Sequence, residues 1–271
     1  MSGKSIFDAA AAVLATADAE DKAAASVTAA ARFAAAELDM SPGAAPPDRP
    51  SRPNRPELKS PTDMPRRKAG GVKGRAALLH AVAHIELNAI DLAWDMVARF
   101  GGDPMFRSDT GRRAFVSDWV RIGAEEATHF RMVSERLATL GARYGDFPAH
   151  DGLWDAAEKT KGDILGRLAI APMVLEARGL DVTPAMAKKL RDAGDEDSAA
   201  VLDIIYQDEI GHVGAGAKWF SHLCSKEGKD EKSSFHALVG QYFPGGLKLP
   251  FNEEARNKAG LLPDLYRPLA R

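Results

Sequence analysis

One short pattern that occurs twice constrains this chain more than any other feature. An acid followed by Glu-x-x-His spans residues 125–129 and again residues 208–212. Residues three apart lie on the same face of an α-helix, so each copy directs one carboxylate and one imidazole to the same side. Two such pairs, joined by one inward Glu from each of two further helices, form the ligand set of dinuclear metal sites in helical bundles. The sequence can therefore build such a site if two more helices each carry a buried Glu.

Composition excludes several other kinds of site. The 271 residues are 45% hydrophobic and 27% charged, which is enough for a sizeable core. The formal charge of −2 argues against nucleic acid as a partner. Cys224 is the single cysteine, so neither an intrachain disulfide nor a Cys-rich zinc or iron–sulfur site is possible. Redox chemistry in this chain would need an external electron donor.

The sequence gives no indication of export or membrane insertion. No run approaches the ~20 apolar residues of a membrane span. Acids at Asp8, Asp18, Glu20 and Asp21 interrupt the Ala-rich N-terminal stretch, which is atypical of a signal peptide. We expect a cytoplasmic protein.

Composition also divides the chain into four segments. Residues 1–40 are Ala-rich and predict one or two helices. Residues 41–68 are rich in proline and arginine and predict an extended strap, either laid over the fold or serving as a docking arm for a peptide or RNA. Residues 69–228 predict a four-helix bundle, and residues 229–271 predict a C-terminal helix and tail packed on it. The buried positions expected in the first segment are Phe7, Val13, Leu14, Val27, Phe33 and Leu38.

The first two bundle helices carry three candidate ligands. Helix one is predicted over residues 72–99, where Glu86 lies in the middle of an apolar stripe. A lone carboxylate facing a core is costly unless it is paired or bound to metal. Helix two is predicted over residues 111–141 and carries Glu126 and His129 within its apolar face. A separate polar stripe on the far side of helix one consists of His80, His84, Asn88, Asp91 and Asp95. Its two histidines are expected at the surface or in contact with the strap.

Helix three is predicted over residues 161–178 and carries Glu176 on its inner face. Pro172 precedes this Glu by four residues and is expected to bulge or kink the helix. Such a bulge would either open a pocket for dioxygen or substrate or serve packing alone. A separate short helix is predicted from Thr183-Pro184 to about residue 191.

Helix four is predicted over residues 196–226 and carries Glu209 and His212 on its inner side, and a last short helix is predicted over residues 233–242. Four carboxylates and two imidazoles thus occupy core-facing positions: Glu86, Glu126, His129, Glu176, Glu209 and His212. As a set of buried ion pairs and hydrogen bonds, the four carboxylates would repel one another. Two divalent cations balance that charge, and mixed carboxylate and imidazole ligation suits iron or manganese. We predict a site for two Fe ions, with Mn or mixed Mn/Fe as alternatives.

Three further residues are candidates for supporting roles. A ligating His normally donates its second ring N–H to a carboxylate or carbonyl. We therefore predict that Asp208 supports His129 and that Glu125 supports His212; the alternative is that both acids are simply solvated. Tyr206 lies within one turn of the second Glu-x-x-His and is a candidate to line a cavity or carry a radical, or is an ordinary core tyrosine.

These motifs resemble a bacterial family of unknown function (number 455) in the ferritin-like superfamily. The resemblance covers nearly the whole chain, and the segments that carry it are residues 79–87, 125–130, 144–152, 175–181 and 208–213 and the Arg/Pro-rich strap. It implies an all-α, ferritin-like four-helix bundle with a dinuclear metal site. By the same similarity, Glu126 and Glu209 would bridge the metals and the other ligands would be terminal: Glu86, Glu176, His129 and His212.

The leading functional hypothesis is an oxidoreductase that activates O2 or peroxide at a di-iron or di-manganese centre. Its partners would be an unknown small-molecule substrate and an external electron donor, with no membrane, and possibly a second copy in a homodimer. The alternatives are a non-enzymatic iron-binding or storage protein and an RNA-modifying enzyme like a tRNA hydroxylase. A structural bundle without metal is a further alternative, which the complete ligand set argues against.

Overall fold

The computed structural model describes residues 4–64, 71–106 and 108–271. Over these residues the chain is all-α, as predicted, with isolated β-bridges and no strand. The helices are α1 Ile6–Ala15, α2 Ala19–Ala34, α3 Gly71–Asp95, α4 Asp109–Thr139, α5 Gly152–Lys159, α6 Ile164–Ile170, α7 Ala177–Asp192, α8 Glu196–Lys226, α9 Glu231–Tyr242, α10 Glu253–Lys258 and α11 Pro263–Tyr266. Short polar side chains that accept backbone N–H groups begin many of them: Ser5, Asp18, Ser108, Asp163, Asp195, Asp230 and Asn252.

The chain forms two compact units, Met1–Trp154 and Asp155–Arg271. The boundary falls inside the segment that the sequence assigned to one bundle. Unit 1 contains α1 to α4 and the strap, and unit 2 contains α6 to α11. Each unit thus holds one Glu-x-x-His helix and one helix with the additional Glu.

A buried hydroxyl ties three helices of unit 1 together. Ser26 on α2 donates to the carbonyl oxygen of Gly123 on α4 at 2.6 Å, and it accepts from the indole N–H of Trp94 on α3 at 2.6 Å. A side chain at position 123 would not fit, because an added Cβ would lie 2.7 Å from the indole nitrogen. The glycine and the serine therefore fix the close approach of α3 and α4, the helices with the first three candidate ligands.

The polar stripe of α3 is buried under the strap. All five members of the stripe are buried. Arg52 of the strap forms an ion pair with Asp91 at 2.7 Å and donates to Asn88 at 2.9 Å. Lys22 of α2 contacts the same carboxylate and donates to the carbonyl of Ser51 at 2.9 Å. The two histidines of the stripe are buried, so their expected exposure at the surface is wrong, and the contacts with Arg52 of the strap belong to Asn88 and Asp91.

Helix α3 together with the π-helical turn that follows it, Met96–Phe100, has the length and apolar composition of a membrane span. Glu86, Asp91 and Asp95 interrupt this stretch, so it contains no continuous apolar run of that length. Within the chain, 83% of the apolar window is buried. It is a core helix that packs against α1, α2 and α4, and its polar stripe includes the residues that contact Arg52 of the strap.

In unit 2, α6 leads through a π-helical turn, Ala171–Glu176, directly into α7. The predicted bulge at Pro172 is confirmed. The predicted break at Thr183-Pro184 is wrong, because α7 continues through Pro184 to Asp192. A proline leaves the carbonyl four residues earlier without its helical donor, and here the side chain of Asn252 donates to that carbonyl, of Leu180, at 3.1 Å.

The predicted N-terminal helices, helix four and last short helix are all present. The N-terminal helices bury five of the six expected positions, but Val27 is 36% exposed, because it faces outward from α2 into a surface groove along α4. Helix four is confirmed as α8, and the predicted last short helix corresponds to α9. The tail is not irregular throughout, since it forms α10 and α11 and packs on α7 and α8 of its own unit.

Candidate metal centre

Three predicted ligands come together at the centre of unit 1. Glu86 of α3 and Glu126 and His129 of α4 are all buried, and one ligand atom of each lies within 4.8 Å of the others. The Nδ1 atom of His129 is 3.4 Å from Oε2 of Glu86 and 3.3 Å from Oε2 of Glu126. Atoms that bind one ion at about 2.1 Å lie roughly 3.0–3.5 Å apart. The three side chains therefore fit one metal ion with little rearrangement.

One carboxylate oxygen of Glu86 contacts the imidazole of His129 at 3.4 Å, without the geometry of a good hydrogen bond. This Oε2 atom is fully buried, and among the described residues no donor reaches it with good hydrogen-bond geometry. Burial raises the pKa of Glu86 to about 7, with His129 opposing the shift and the charge of Glu126 adding to it. A buried carboxylate in this position is stabilised either by a proton or by a cation.

His129 has the opposite electrostatic environment. Burial disfavours its charged form, but hydrogen bonds and charge from Glu126 and Glu86 outweigh burial and raise the pKa of His129 well above the ordinary value of 6.5. Without metal, the imidazole is therefore protonated at neutral pH and occupies the place of a cation between the two carboxylates. The two carboxylates therefore favour a positive charge at this position.

Unit 2 contains the second set of predicted ligands. Glu209 and His212 lie on α8, both buried, with Nδ1 of His212 at 4.0 Å from Oε2 of Glu209. Glu176 is the last residue of the π-helical turn and is half-buried. The structure thus brings Glu86, Glu126 and His129 together and pairs Glu209 with His212. That both sets join in one dinuclear centre stays a prediction.

The three supporting residues differ in their surroundings. Glu125 is half-buried and accepts a hydrogen bond from Arg121 at 2.5 Å. Asp208 is exposed, which is a poor environment for a carboxylate that orients a buried ligand. The predicted support of His212 and His129 by these two acids stays a prediction. Tyr206 is half-buried, and its hydroxyl accepts the side-chain N–H of Asn252 at 2.9 Å.

Two other histidines, His84 and His80 on α3, are held by hydrogen bonds to the segment 144–150. His84 contacts the carbonyl oxygen of His150 through Nε2 at 3.1 Å and the hydroxyl of Tyr144 through Nδ1 at 2.8 Å. A carbonyl only accepts, so Nε2 carries the proton and Nδ1 accepts from the tyrosine. Burial lowers the pKa of His84 to about 3, so this ring is neutral. His80 accepts the backbone N–H of Gly145 at 2.9 Å, and both rings therefore hold the segment 144–150 against α3.

The sequence did not reveal the groups that hold the ligand helices in place. They are the tail residues Asn252 and Arg256 and their partner Asp181 on α7. Asp181 belongs to a segment that the resemblance includes, which was a usable signal. The two tail residues follow the last candidate ligand by forty residues or more, and no periodicity links them to it.

Fold and site together define an all-α protein with buried carboxylate and imidazole clusters of the kind that bind metal. The chain belongs to the family described as "Protein of unknown function (DUF455)", whose model matches residues 15–267. A protein of Haemophilus influenzae (strain ATCC 51907 / DSM 11121 / KW20 / Rd) with the name "Uncharacterized protein" is 46% identical over 208 residues, which cover 77% of this chain and 72% of the relative. No solved structure matches the chain.

Proposed function

We propose that this chain is a dinuclear metal protein of the ferritin-like type, with two iron ions, that acts as an oxidoreductase on O2 or peroxide. The observation that carries the proposal is the cluster of Glu86, Glu126 and His129, three buried ligand-type side chains within 4.8 Å of one another. Buried polar side chains are ordinarily satisfied by hydrogen bonds. Here a buried carboxylate oxygen of Glu86 has no hydrogen bond of good geometry among the described residues, and its contact with the His129 imidazole is 3.4 Å long.

The two units supply matching halves of the ligand set. Unit 1 provides one Glu on α3 and Glu-x-x-His on α4; unit 2 provides one Glu at the start of α7 and Glu-x-x-His on α8. Two carboxylates and one imidazole from each half give the four carboxylates and two imidazoles of a dinuclear site in a ferritin-like bundle. This duplication supports two metals rather than one.

Charge supports the same conclusion. Within unit 1, two carboxylates face a single imidazole, and burial raises the pKa of Glu86 in the absence of metal. A divalent cation would replace the proton of His129 and remove the cost of the buried negative charge. Oxygen and nitrogen ligands without thiolate suit iron and manganese.

A pair of iron ions held there would supply electrons and open coordination positions for the reduction of O2 or peroxide. The protein excludes solvent from most of the proposed ligands, because the unit 1 ligands and His212 are almost fully buried. It also contributes the irregular π-helical turn at Ala171–Glu176. Such turns are frequent at functional sites, and this one ends at a proposed ligand.

Two arginines of the strap give no support to an RNA-modifying role, and strap residues 65–68 lie outside the described residues. Arg49 forms an ion pair with Asp151, and Arg52 is engaged with Asp91 and Asn88. Both side chains hold the strap against α3 and the turn that precedes α5. They are therefore not available as a set of phosphate contacts.

Elemental analysis of protein purified without added metal tests the centre. We expect about two iron or manganese atoms per chain and loss of metal in Glu126→Gln and Glu209→Gln. Glu135→Gln is the matched control, because this Glu is exposed on the same helix as Glu126. A wild-type chain that stays free of metal after anaerobic Fe(II) loading would overturn the proposal.

The reaction is tested separately on loaded protein. We expect Fe(II)-loaded wild type, but not Glu126→Gln, to consume O2 or peroxide faster than the same concentration of free Fe(II). Consumption that stops after one equivalent and deposits ferric iron would instead indicate iron binding or storage, and would overturn the enzymatic part while leaving the centre intact.

A further inference from the structure

The first turns of α7 lack regular α-helical hydrogen bonds at both ends, although the helix is continuous. In the preceding π-helical turn, the N–H of Ala177 reaches the carbonyl oxygen of Pro172, five residues earlier. Further on, Pro184 removes the N–H that would bond the carbonyl of Leu180. The turn of helix directly after Glu176 therefore depends on bonds from outside the helix more than a regular α-helix does.

Asn252 supplies one of these outside bonds and links two helices. Its side-chain amide donates to the Leu180 carbonyl on α7 at 3.1 Å and to the Tyr206 hydroxyl on α8 at 2.9 Å. Its backbone N–H donates to Asp181 at 2.9 Å. Tyr206 lies one turn before Glu209. One tail residue thus spans the two helices of unit 2 that carry proposed ligands.

Arg256 supplies a second anchor one turn further along the tail. Its guanidinium donates to both oxygens of Asp181, at 2.8 and 2.7 Å, and its Nη2 lies 3.4 Å from the carbonyl oxygen of Ala177. The rings of Phe251 and Tyr266 lie 4.8 and 4.6 Å from this guanidinium. Both charged groups are buried, so the pair has a fixed two-bond geometry that a surface pair would lack.

A third link comes from α7 itself. Arg178 donates to the carbonyl oxygens of Lys248 at 2.8 Å and Pro250 at 3.1 Å. These tail contacts fall on four residues between 177 and 181, the helical turn that directly follows Glu176. A one-residue change of register in this turn would rotate the Glu176 side chain by about 100°, so holding the register fixes the direction of the carboxylate.

We propose that Asn252 and Arg256 are positioning residues for Glu176 and Glu209. The inference rests on the proposed metal centre. The C-terminal tail holds the π-helical register and the spacing of α7 and α8, and thereby sets the geometry of the unit 2 ligands. Outer partners of metal ligands typically affect metal affinity about 10- to 100-fold.

Two substitutions remove these contacts with small changes elsewhere. Asn252→Ser keeps a side chain able to begin α10 and loses both amide donors. Arg256→Lys keeps the charge and loses the bidentate hydrogen bonding to Asp181. Arg267→Gln is the control, because Arg267 belongs to the same tail and pairs with Glu253 in an exposed contact. Hydrogen exchange of residues 171–183 and cobalt(II) titration followed by visible absorption are the two readouts.

We expect faster exchange over residues 177–183 in Asn252→Ser and Arg256→Lys, and about 10-fold or more weaker binding of one of two cobalt ions with an altered spectrum. Arg267→Gln should match wild type in both measurements. Normal cobalt binding and spectra in both variants would overturn the positioning role, even if exchange is faster. Wild type that binds no cobalt would overturn the metal centre itself and this inference with it, and the exchange data would then show only whether the tail stabilises α7.

Discussion

Pro172 packs so closely against Gly216 that no side chain fits between them. A Cβ atom added to Gly216 would lie 2.5 Å from both Cβ and Cγ of the proline ring. Pro172 begins the turn that ends at Glu176, and Gly216 follows His212 by one helical turn on α8. The contact thus joins the irregular turn to the helix of the second Glu-x-x-His.

We predict that Gly216→Ala destabilises the protein by about 1–3 kcal/mol, because the proline or α8 must move to admit the methyl group. Urea unfolding measures the effect. Gly211→Ala is the matched control on the same helix, since nothing lies near its added Cβ. That control should be stabilising by about 0.5–1 kcal/mol, as an exposed helical Gly-to-Ala change usually is. Equal effects of the two substitutions would show that the contact with Pro172 does not restrict α8.

We predict that Ser26→Ala destabilises unit 1 by about 1–3 kcal/mol, because it removes the hydroxyl that accepts from the buried indole N–H of Trp94 and donates to the carbonyl of Gly123. Thr28→Ala on the exposed face of α2 is the control, with an expected change within about 0.5 kcal/mol. Thermal and urea unfolding give both values.

The same hydroxyl allows a double-mutant test. If the cost of Ser26→Ala comes from the unsatisfied indole, adding Trp94→Phe should cost less in that background than in wild type, because the donor is already stranded. Strictly additive effects would contradict this explanation.

Helical periodicity was sufficient to find the candidate ligands, and the reason is physical. Glu86 and Glu126 interrupt apolar stripes, and a carboxylate in a core is too costly to occur without a partner. The bulge at Pro172 was predictable for a similar reason, since a proline removes one helical hydrogen bond and clashes with the preceding turn. These signals are local in sequence.

The sequence predictions were wrong where residues far along the chain satisfy a polar group that its sequence neighbours leave without a partner. The helix passes through Pro184 because the amide of Asn252, far along the chain, satisfies the carbonyl of Leu180. Asp91 belongs to a polar stripe that resembles a wet helix face, but Lys22 and Arg52 neutralise it and allow its burial. A local sequence pattern does not identify such distant partners.

We predict that Asp91→Asn destabilises the protein by about 3–5 kcal/mol, because a neutral amide no longer balances the charges of Lys22 and Arg52. Burial already lowers the pKa of Lys22, and the charge of Asp91 opposes that shift. Asp192→Asn, which breaks the exposed pair with Lys188, is the control and should cause no measurable change in the urea midpoint. A similar small effect at Asp91 would indicate that the strap is held by other contacts.

We predict that metal binding to the unit 1 cluster releases protons and becomes tighter as pH rises from 6 to 8. The folded pKa of His129 is raised, so the metal-free ring carries a proton that a ligand must lose. Glu86, with its pKa raised to about 7, also loses part of a proton over this range. Titration calorimetry in two buffers of different ionisation enthalpy measures the number of protons released, which should exceed one per chain at pH 7.

The same shifts set the stability of the metal-free protein. Both folded pKa values lie above the ordinary ones, so both groups bind more protons in the folded state. Their stabilisation is complete below the ordinary values of 4.5 for Glu86 and 6.5 for His129, and it declines as pH rises through the folded values. Metal-free protein should therefore be less stable at pH 8 than at pH 6, and metal-loaded protein should show the reverse trend, because deprotonated ligands bind the ion. Metal-free and loaded protein with the same pH dependence would contradict the assignment of these residues as ligands.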